Sequence, residues 1–321
     1  MNVELRQIHK RFGKVHANND ITLKIPSGSI QGILGENGAG KSTLMKILSG
    51  FIQADSGDIE LDGKKVTIAT PADAIRYGIG MLHQDPLDFP PMKVIDNFIL
   101  GQSGALFPNK RQAVKEFMNL CEQYGFKLNP EAYLETLTVG ERQQLEIIRL
   151  LWLGAKVLIL DEPTTGISAS QKAKLFATLK VLAKEKKTMI FVSHKLEDVE
   201  GLCDRVAVFQ RGKLVGQAKP PYKTEELVQL MFGKAVTPGC REYTGLTDVA
   251  VKLENLSLED ARLQIKHVNF EIRRGEVIGL AGMEGSGQRL FLRALAGLQR
   301  PNTGRILVDG TDMSGKTYHS F

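Results

Sequence analysis

Eight residues constrain this chain more than any others: Gly35-Glu36-Asn37-Gly38-Ala39-Gly40-Lys41-Ser42. They fit G-x-x-x-x-G-K-[ST], a loop that cradles phosphates. Ser29 to Leu34 (SIQGIL) reads as a short buried strand before the loop, and Lys41 to Leu48 (KSTLMKIL) as a helix opening directly from it. Glycines let backbone N–H groups turn inward, the helix N-terminus adds partial positive charge, and Lys41 adds a full one. The expectation is a bound triphosphate, with the Ser42 hydroxyl placed to ligate Mg2+.

Downstream, Lys156 to Pro163 (KVLILDEP) is an apolar strand ending in paired carboxylates. A run apolar throughout is buried on both faces, as in a parallel sheet. Its C-terminal end lies where α/β proteins bind ligands. The two carboxylates are either a surface pair or functional, with Asp161 placed there to anchor Mg2+ and Glu162 to polarise an attacking water. Two further strands end in polar residues. Gly78 to Leu82 leads to Gln84, which either reaches a metal or its water or is a plain loop residue. Thr188 to Ser193 leads to His194, which is either structural or a partner for a γ-phosphate.

The rest of the chain organises around these points. Residues 3 to 25 alternate as two strands around a turn-like middle that contains Phe12. That ring is either a packed loop aromatic or a π-face for a purine. Ser56 to Gly63 reads as a strand ending in an Asp-Gly turn. Residues 86 to 108 are apolar, aromatic and proline-punctuated, which marks an interaction surface or a loop folded onto its own domain. Asn109 to Tyr124 carries Val114, Phe117, Met118, Cys121 and Tyr124 at helical spacing, and a second helix runs from about Val139 to Leu153 with Leu145, Ile148 and Trp152 on one stripe. These helices suggest a helical subdomain over about 86–155 inserted into the core. Ser170 to Glu185 reads as an amphipathic helix and Arg205 to Gln217 as a hairpin through Arg211-Gly212. The prolines and glycine within 218–250 flank a short helical segment, Glu225 to Phe232, and suggest a linker.

The chain then starts again. Glu276 to Gly310 aligns without gaps on Ser29 to Gly63 at a constant offset of 247 residues, from Gly35 to Gly282. Identical pairs include Gly38/Gly285, Gly40/Gly287, Gly57/Gly304 and Asp62-Gly63/Asp309-Gly310. Ten of the 35 positions are identical, where chance gives about two, so the segment is a duplication. Lys41 and Ser42 become Gln288 and Arg289, which removes the ammonium and the metal-ligating hydroxyl. Counterparts of Gln84, Gly140, Glu162 and His194 at the same offset would lie beyond residue 321. The expected organisation is a first nucleotide domain over 1–234, a linker over 235–250 and the first part of a second copy over 251–321.

Composition excludes little more. The net charge of +6 comes from scattered basic residues and suits a mildly basic protein with a phosphate site better than one that binds nucleic acid or an anionic membrane surface. Cys121, Cys203 and Cys240 form no CxxC, which argues against a disulfide framework or zinc site and suits a reducing cytoplasm. No apolar run is long enough to span a bilayer, and the first residues lack the apolar core of a signal peptide.

The ordered set of motifs resembles the ATP-binding-cassette ATPases, and the resemblance covers nearly the whole chain. Gly35 to Ser42 matches their Walker A motif and Val157 to Glu162 is similar to Walker B with its glutamate. Gln84 matches the Q-loop and His194 the switch histidine. Leu137-Thr138-Val139-Gly140-Glu141 sits where the family's LSGGQ signature lies. Thr138 replaces the signature serine, Val139 a glycine and Glu141 a glutamine, and Ser168 stands where many cassettes carry aspartate. The resemblance implies an α/β fold: an ABC-type P-loop NTPase core with an inserted helical subdomain and an antiparallel β subdomain, plus the N-terminal part of a second copy.

It also implies function. The nucleotide would be ATP, held by Phe12, Gly35, Glu36, Asn37, Gly38, Ala39, Gly40, Lys41, Ser42 and Thr43. Mg2+ would be held by Ser42, Gln84 and Asp161, with Glu162 and His194 catalytic. The intact first loop and altered second are similar to double-cassette ATPases of simple-sugar and nucleoside importers, and the LTVGERQQLEI run with Phe89-Pro90-Pro91-Met92 most resembles the nucleoside branch, the one paired with basic-membrane-protein-type lipoproteins. Implied partners are two transmembrane permease subunits, a substrate-binding lipoprotein acting indirectly, and a complementary cassette in cis or on a second chain, with no nucleic acid. The implied place is the cytoplasmic face of the cell membrane. The alternatives are a soluble double-cassette ATPase acting on ribosomes or DNA, and a catalytically silent binding module.

Overall fold

The computed structural model describes residues 1–84, 87–101, 109–233, 248–260, 263–282, 286–316 and 318–320. Its contacts divide the chain into two units, Met1–Thr237 and Pro238–Phe321. The first unit begins with a long hairpin, β1 (Val3–Phe12) and β2 (Val15–Ile25). β3 (Ile30–Gly35) runs into the glycine-rich loop and α1 (Lys41–Leu48). β4 (Ser56–Leu61), β5 (Lys64–Val66), α2 (Pro71–Arg76) and β6 (Ile79–Leu82) follow. α3 (Val94–Ile99), α4 (Lys110–Tyr124) and α5 (Val139–Trp152) then pack on one another. The chain returns through β7 (Val157–Asp161), α6 (Ala169–Lys184), β8 (Thr188–Ser193), α7 (Leu196–Leu202), β9 (Arg205–Gln210), β10 (Lys213–Ala218) and α8 (Thr224–Phe232).

Two sheets result. β2-β1-β4-β5 is antiparallel, and β10-β9-β3-β8-β7-β6 is parallel except for the β9–β10 hairpin. The parallel strands are apolar throughout because both faces are covered. On one face, Ile33, Val157, Ile159 and Val192 pack with α1 and the antiparallel sheet. On the other, Leu34, Leu158, Leu160 and Phe191 pack with α5, α6 and α7. α5 serves two cores: Ile147 and Leu150 face the sheet, while Leu145 and Ile148 join Phe98 and Phe117 of the helical cluster.

The structure corrects three readings. Phe12 ends β1 instead of sitting in a turn-like middle, since the hairpin closes over Gly13-Lys14 alone. Within 86–108, Val94, Ile95 and Phe98 are core on α3, while Leu87 and Phe89, in the loop before it, are exposed. Residues 86 and 102–108 lie outside the described residues. Met118, placed on the apolar stripe of α4, is exposed, because Ala113, Phe117 and Cys121 define the buried face. Most of the expected linker, 235–247, lies outside the described residues, and Val249 already begins the next strand. Cys121 and Cys203 are buried free thiols, and Cys240 lies outside the described residues.

The second unit contains β11 (Val249–Glu259), β12 (Gln264–Arg273), α9 (Gln288–Leu295), β13 (Thr303–Val308) and β14 (Thr311–Asp312). Its sheet order, β12-β11-β13-β14, repeats that of β2-β1-β4-β5. α9 and β13 start 247 residues after α1 and β4. The backbone repeats as well: left-handed φ values recur at Asp20/His267 (58°/54°), Gly40/Gly287 (97°/110°) and Asp62/Asp309 (48°/46°). One element does not recur. The segment aligned with β3 forms no strand, and Val277 is 77% exposed where Ile30 is 2%.

Trp152 is the single tryptophan and stacks on Phe98, which meets Phe117 edge-on. Its fluorescence therefore reports the helical cluster. Phe117→Ala is expected to destabilise that cluster by about 3–5 kcal/mol, read as a lower urea midpoint of Trp152 fluorescence. An unchanged midpoint would contradict this packing.

Candidate active site

The loop after β3 is shaped by close backbone approaches. Gly40 adopts φ 97°, and a Cβ there would stand 2.1 Å from Ala17 O. No side chain larger than hydrogen fits. Gly40 is also the N-cap of α1 and, having no side chain, leaves the first-turn N–H groups uncapped. By contrast α2, α5 and α6 all begin with capping boxes. An uncapped N-terminus presents several donors and partial positive charge to an anion. The Lys41 ammonium donates to Gly35 O at 2.7 Å and Glu36 O at 3.0 Å, within the loop itself. Burial holds its pKa below the ordinary lysine range, against the pull of Glu162, Asp161 and Glu36.

The carboxylates stand at the end of β7. Ser42 Oγ donates to Asp161 Oδ1 at 3.2 Å, which ties the first turn of α1 to that strand. Burial raises the Asp161 carboxyl above its usual range, and the Ser42 hydrogen bond opposes this. Glu162 is 8% exposed and adopts φ 51°. Its N–H donates to Val192 O at 3.0 Å. Its Oε1 lies 2.9 Å from His194 Nδ1, while Oε2 is buried without a hydrogen-bond partner. Two lone pairs on a buried carboxylate oxygen call for a donor, such as a water or substrate hydroxyl.

A cavity of about 330 Å3 gathers these groups. Asn37 to Thr43, Gln84 and Glu162 line it, with Val15, His16, Ala17 and Arg211 on the remaining wall. Thus Lys41, Ser42, Gln84 and Glu162 share one cavity, with Asp161 and His194 each a hydrogen bond away. Phe12 is not brought into the lining. It is 51% exposed, with the Lys10 ammonium 5.6 Å from its ring centroid. Leu137 to Glu141 are not in the lining either. There Thr138 caps α5, and Glu141 Oε2 accepts from both Thr138 N and Oγ1 at 2.8 Å.

Sequence reasoning passed over His16 and Arg211. Arg211 reaches the cavity because the β9–β10 turn presses on the loop, with Gly212 N donating to Ala39 O at 3.0 Å. A Cβ at Gly212 would stand 2.5 Å from His16 O. The turn was legible, but its long-range partner carries no local signal.

The sequence profile of the ABC transporter family matches residues 18–165 and 265–321. The nucleoside import ATP-binding protein NupA of Lactococcus lactis subsp. cremoris is 34% identical over 98% of the chain and 63% of its own length. The ribose import ATP-binding protein RbsA of Caldanaerobacter subterraneus subsp. tengcongensis is 33% identical over 97% of the chain and 63% of its own length. The chain thus spans less than two thirds of these relatives. In fold, it is similar to the ADP conformation of an ATP-binding cassette of an ABC transporter, with a TM-score of 0.63 at 24% identity over 73% of this chain and all of that one.

Asp161 gives a test of the site's electrostatics. Its folded form holds a proton more tightly than the unfolded chain does, so the ionised carboxylate costs stability above the folded pKa. That cost disappears as pH falls through the raised value. Asp161→Asn is therefore expected to melt a few degrees higher than the unaltered chain at pH 7–8 without nucleotide. The gap should narrow toward about pH 4, near the ordinary carboxylate range. A gap of constant size, or a variant that melts lower at pH 8, would contradict the assignment.

Proposed function

We infer the function from the family: the chain belongs to the ABC transporters, and we propose that it is the ATP-binding and ATP-hydrolysing part of an importer for nucleosides or simple sugars. The observation that carries this reading is the gathering of Lys41, Ser42, Gln84 and Glu162 around one cavity, with Asp161 and His194 hydrogen-bonded to two of them. The importer names of the relatives favour it over a ribosome- or DNA-directed ATPase.

In this reading the nucleotide's phosphates take the place of Gly35 O and Glu36 O as partners of Lys41. The uncapped amides of α1 and the loop amides hold the remaining phosphate oxygens. The Ser42 hydroxyl, the Asp161 carboxylate and the Gln84 amide are hard oxygen donors of the kind Mg2+ prefers, so the residues fit that ion. When bound, Mg2+ would neutralise charge on the transferring phosphoryl group. Glu162 orients and polarises the attacking water through its unpartnered Oε2. His194 uses Nδ1 to hold Glu162 and leaves Nε2 for the γ-phosphate. Phe12, half exposed beyond the Val15–His16 wall, offers its ring to the purine. A complementary cassette, in cis or on a second chain, would close the site with its signature, and Leu137–Glu141 would serve that cassette in return.

Docking on permease subunits has a candidate seat. A cleft of about 380 Å3 opens between the core and the helical cluster, with Phe51, Ile75, Met81, Leu87 and Leu150 among its walls. Its apolar lining suits a short amphipathic helix. No helix among the described residues is long and apolar enough to cross a membrane, so association with the membrane would run through such partners. The transported solute would be bound by the permease and its lipoprotein.

Two measurements test the proposal. Glu162→Gln should retain Mg-ATP while turnover falls on the order of 100-fold or more; turnover at the unaltered rate would remove Glu162 from its role. The protein should also sediment with membranes and co-purify with a permease. Sedimentation with ribosomes instead would sink the importer reading.

A further inference from the structure

Glu162 is held in an unfavourable backbone conformation. A left-handed φ costs a non-glycine residue about 1–2 kcal/mol, and it persists only where the surroundings over-determine it. Upstream, the hydrogen bond from Glu162 N to Val192 O does part of this. Downstream, the anchor is a buried polar contact that the proposed mechanism does not use.

Thr164, 5% exposed, donates its hydroxyl to Asp198 Oδ2 at 2.5 Å. Asp198 is fully buried on α7, the helix that follows His194. Its other oxygen pairs with the ammonium of Lys172, near the start of α6. That contact raises the Lys172 pKa above its ordinary value. One carboxylate therefore joins three segments: the loop after Glu162, the helix after that loop, and the helix after His194. A buried carboxylate needs its charge compensated to be tolerated, and here the Thr164 hydrogen bond and the Lys172 ion pair hold the chain around the Glu162–His194 contact.

We propose that Asp198 is a positioning residue for hydrolysis. Through Thr164 and Lys172 it fixes the Glu162 carboxylate against His194 at 2.9 Å and so keeps it aligned on the attacking water, while taking no part in nucleotide binding. This rests on the reading of Glu162 and His194 as the hydrolytic pair.

The test uses the full protein assembled with its complementary cassette and permease in lipid vesicles. Steady-state ATPase rates are measured together with the Kd for a non-hydrolysable ATP analogue. Thr164→Val, nearly isosteric, removes the donor, and Asp198→Asn removes the charge. Each is expected to lower kcat on the order of 10- to 100-fold, the scale of a displaced catalytic group. KM and the analogue Kd should stay within about twofold, since binding energy is untouched. Thr164→Ser keeps the donor and should restore kcat to within about threefold of the unaltered protein. Unchanged kcat in both Thr164→Val and Asp198→Asn overturns the inference. So does a fall in kcat matched by an equal loss of analogue affinity, or no recovery in Thr164→Ser. Absence of any ATP turnover in the unaltered assembly overturns the parent reading, and this inference with it.

Discussion

β3 is a strand because β8 and β9 hydrogen-bond to it from either side, in parallel and in register from Ile30 to Gly35. Everything at the candidate site hangs from that arrangement. Gly35 ends β3, Asp161 ends β7, His194 follows β8 and Gln84 follows β6. Parallel strands bring their C-terminal ends to one edge, and four separate stretches of sequence converge there. The second unit shows the converse. Its Glu276–Gly282 stretch matches Ser29–Gly35 in sequence, yet forms no strand and leaves Val277 and Leu280 exposed. Nothing among its described residues stands in for β8 and β9. An apolar run of this kind specifies a strand only in the company of neighbours that take up its N–H and C=O groups.

The same edge concentrates charges that burial disfavours. Lys41 is pushed toward its neutral form and Asp161 toward its protonated form, each chiefly by loss of water. Each relieves the other only in part, because Lys41 bonds to loop carbonyls and Asp161 to a hydroxyl, not to one another. Glu162 carries an unpartnered oxygen in the same cavity. Polar groups so placed are costly in a fold that binds nothing. A polyphosphate with a divalent cation offers an anion to the ammonium and a cation to the carboxylate, which is why the proposed ligand fits the strain.

What was legible in the sequence was whatever a short window determines. The Gly35–Ser42 loop, the strand ending at Asp161, the helix starting after Thr138 and the Arg211-Gly212 turn all follow from spacing and residue type. Less legible was anything decided by distant partners. Val94, Ile95 and Phe98 sit in a proline-rich, apolar stretch that looks like an outer surface, and only Phe117, Ile148 and Trp152, brought alongside by α4 and α5, make it a core. Phe12 was placed by its loop-like neighbours, but cross-strand pairing with Val15 extends β1 to include it. Asp198 carried no signal in its own stretch of sequence; its contact with Thr164 joins positions 34 residues apart.

The two copies also separate shape from chemistry. Left-handed backbone positions recur at the same offset through the hairpin, the loop and the Asp-Gly turn. The loop after Gly282 keeps its glycine N-cap and its helix although lysine has become Gln288. The Gln288 amide even folds back toward Gly282, where a Cβ would meet its nitrogen at 2.2 Å, much as Lys41 turns back on Gly35. An uncharged side chain can therefore occupy the lysine's place without disturbing the helix start. The glycine N-cap and the helix start recur without the lysine, and they alone are no evidence of phosphate binding. The evidence in the first copy is the ammonium of Lys41, the hydroxyl of Ser42 and the carboxylates that face them.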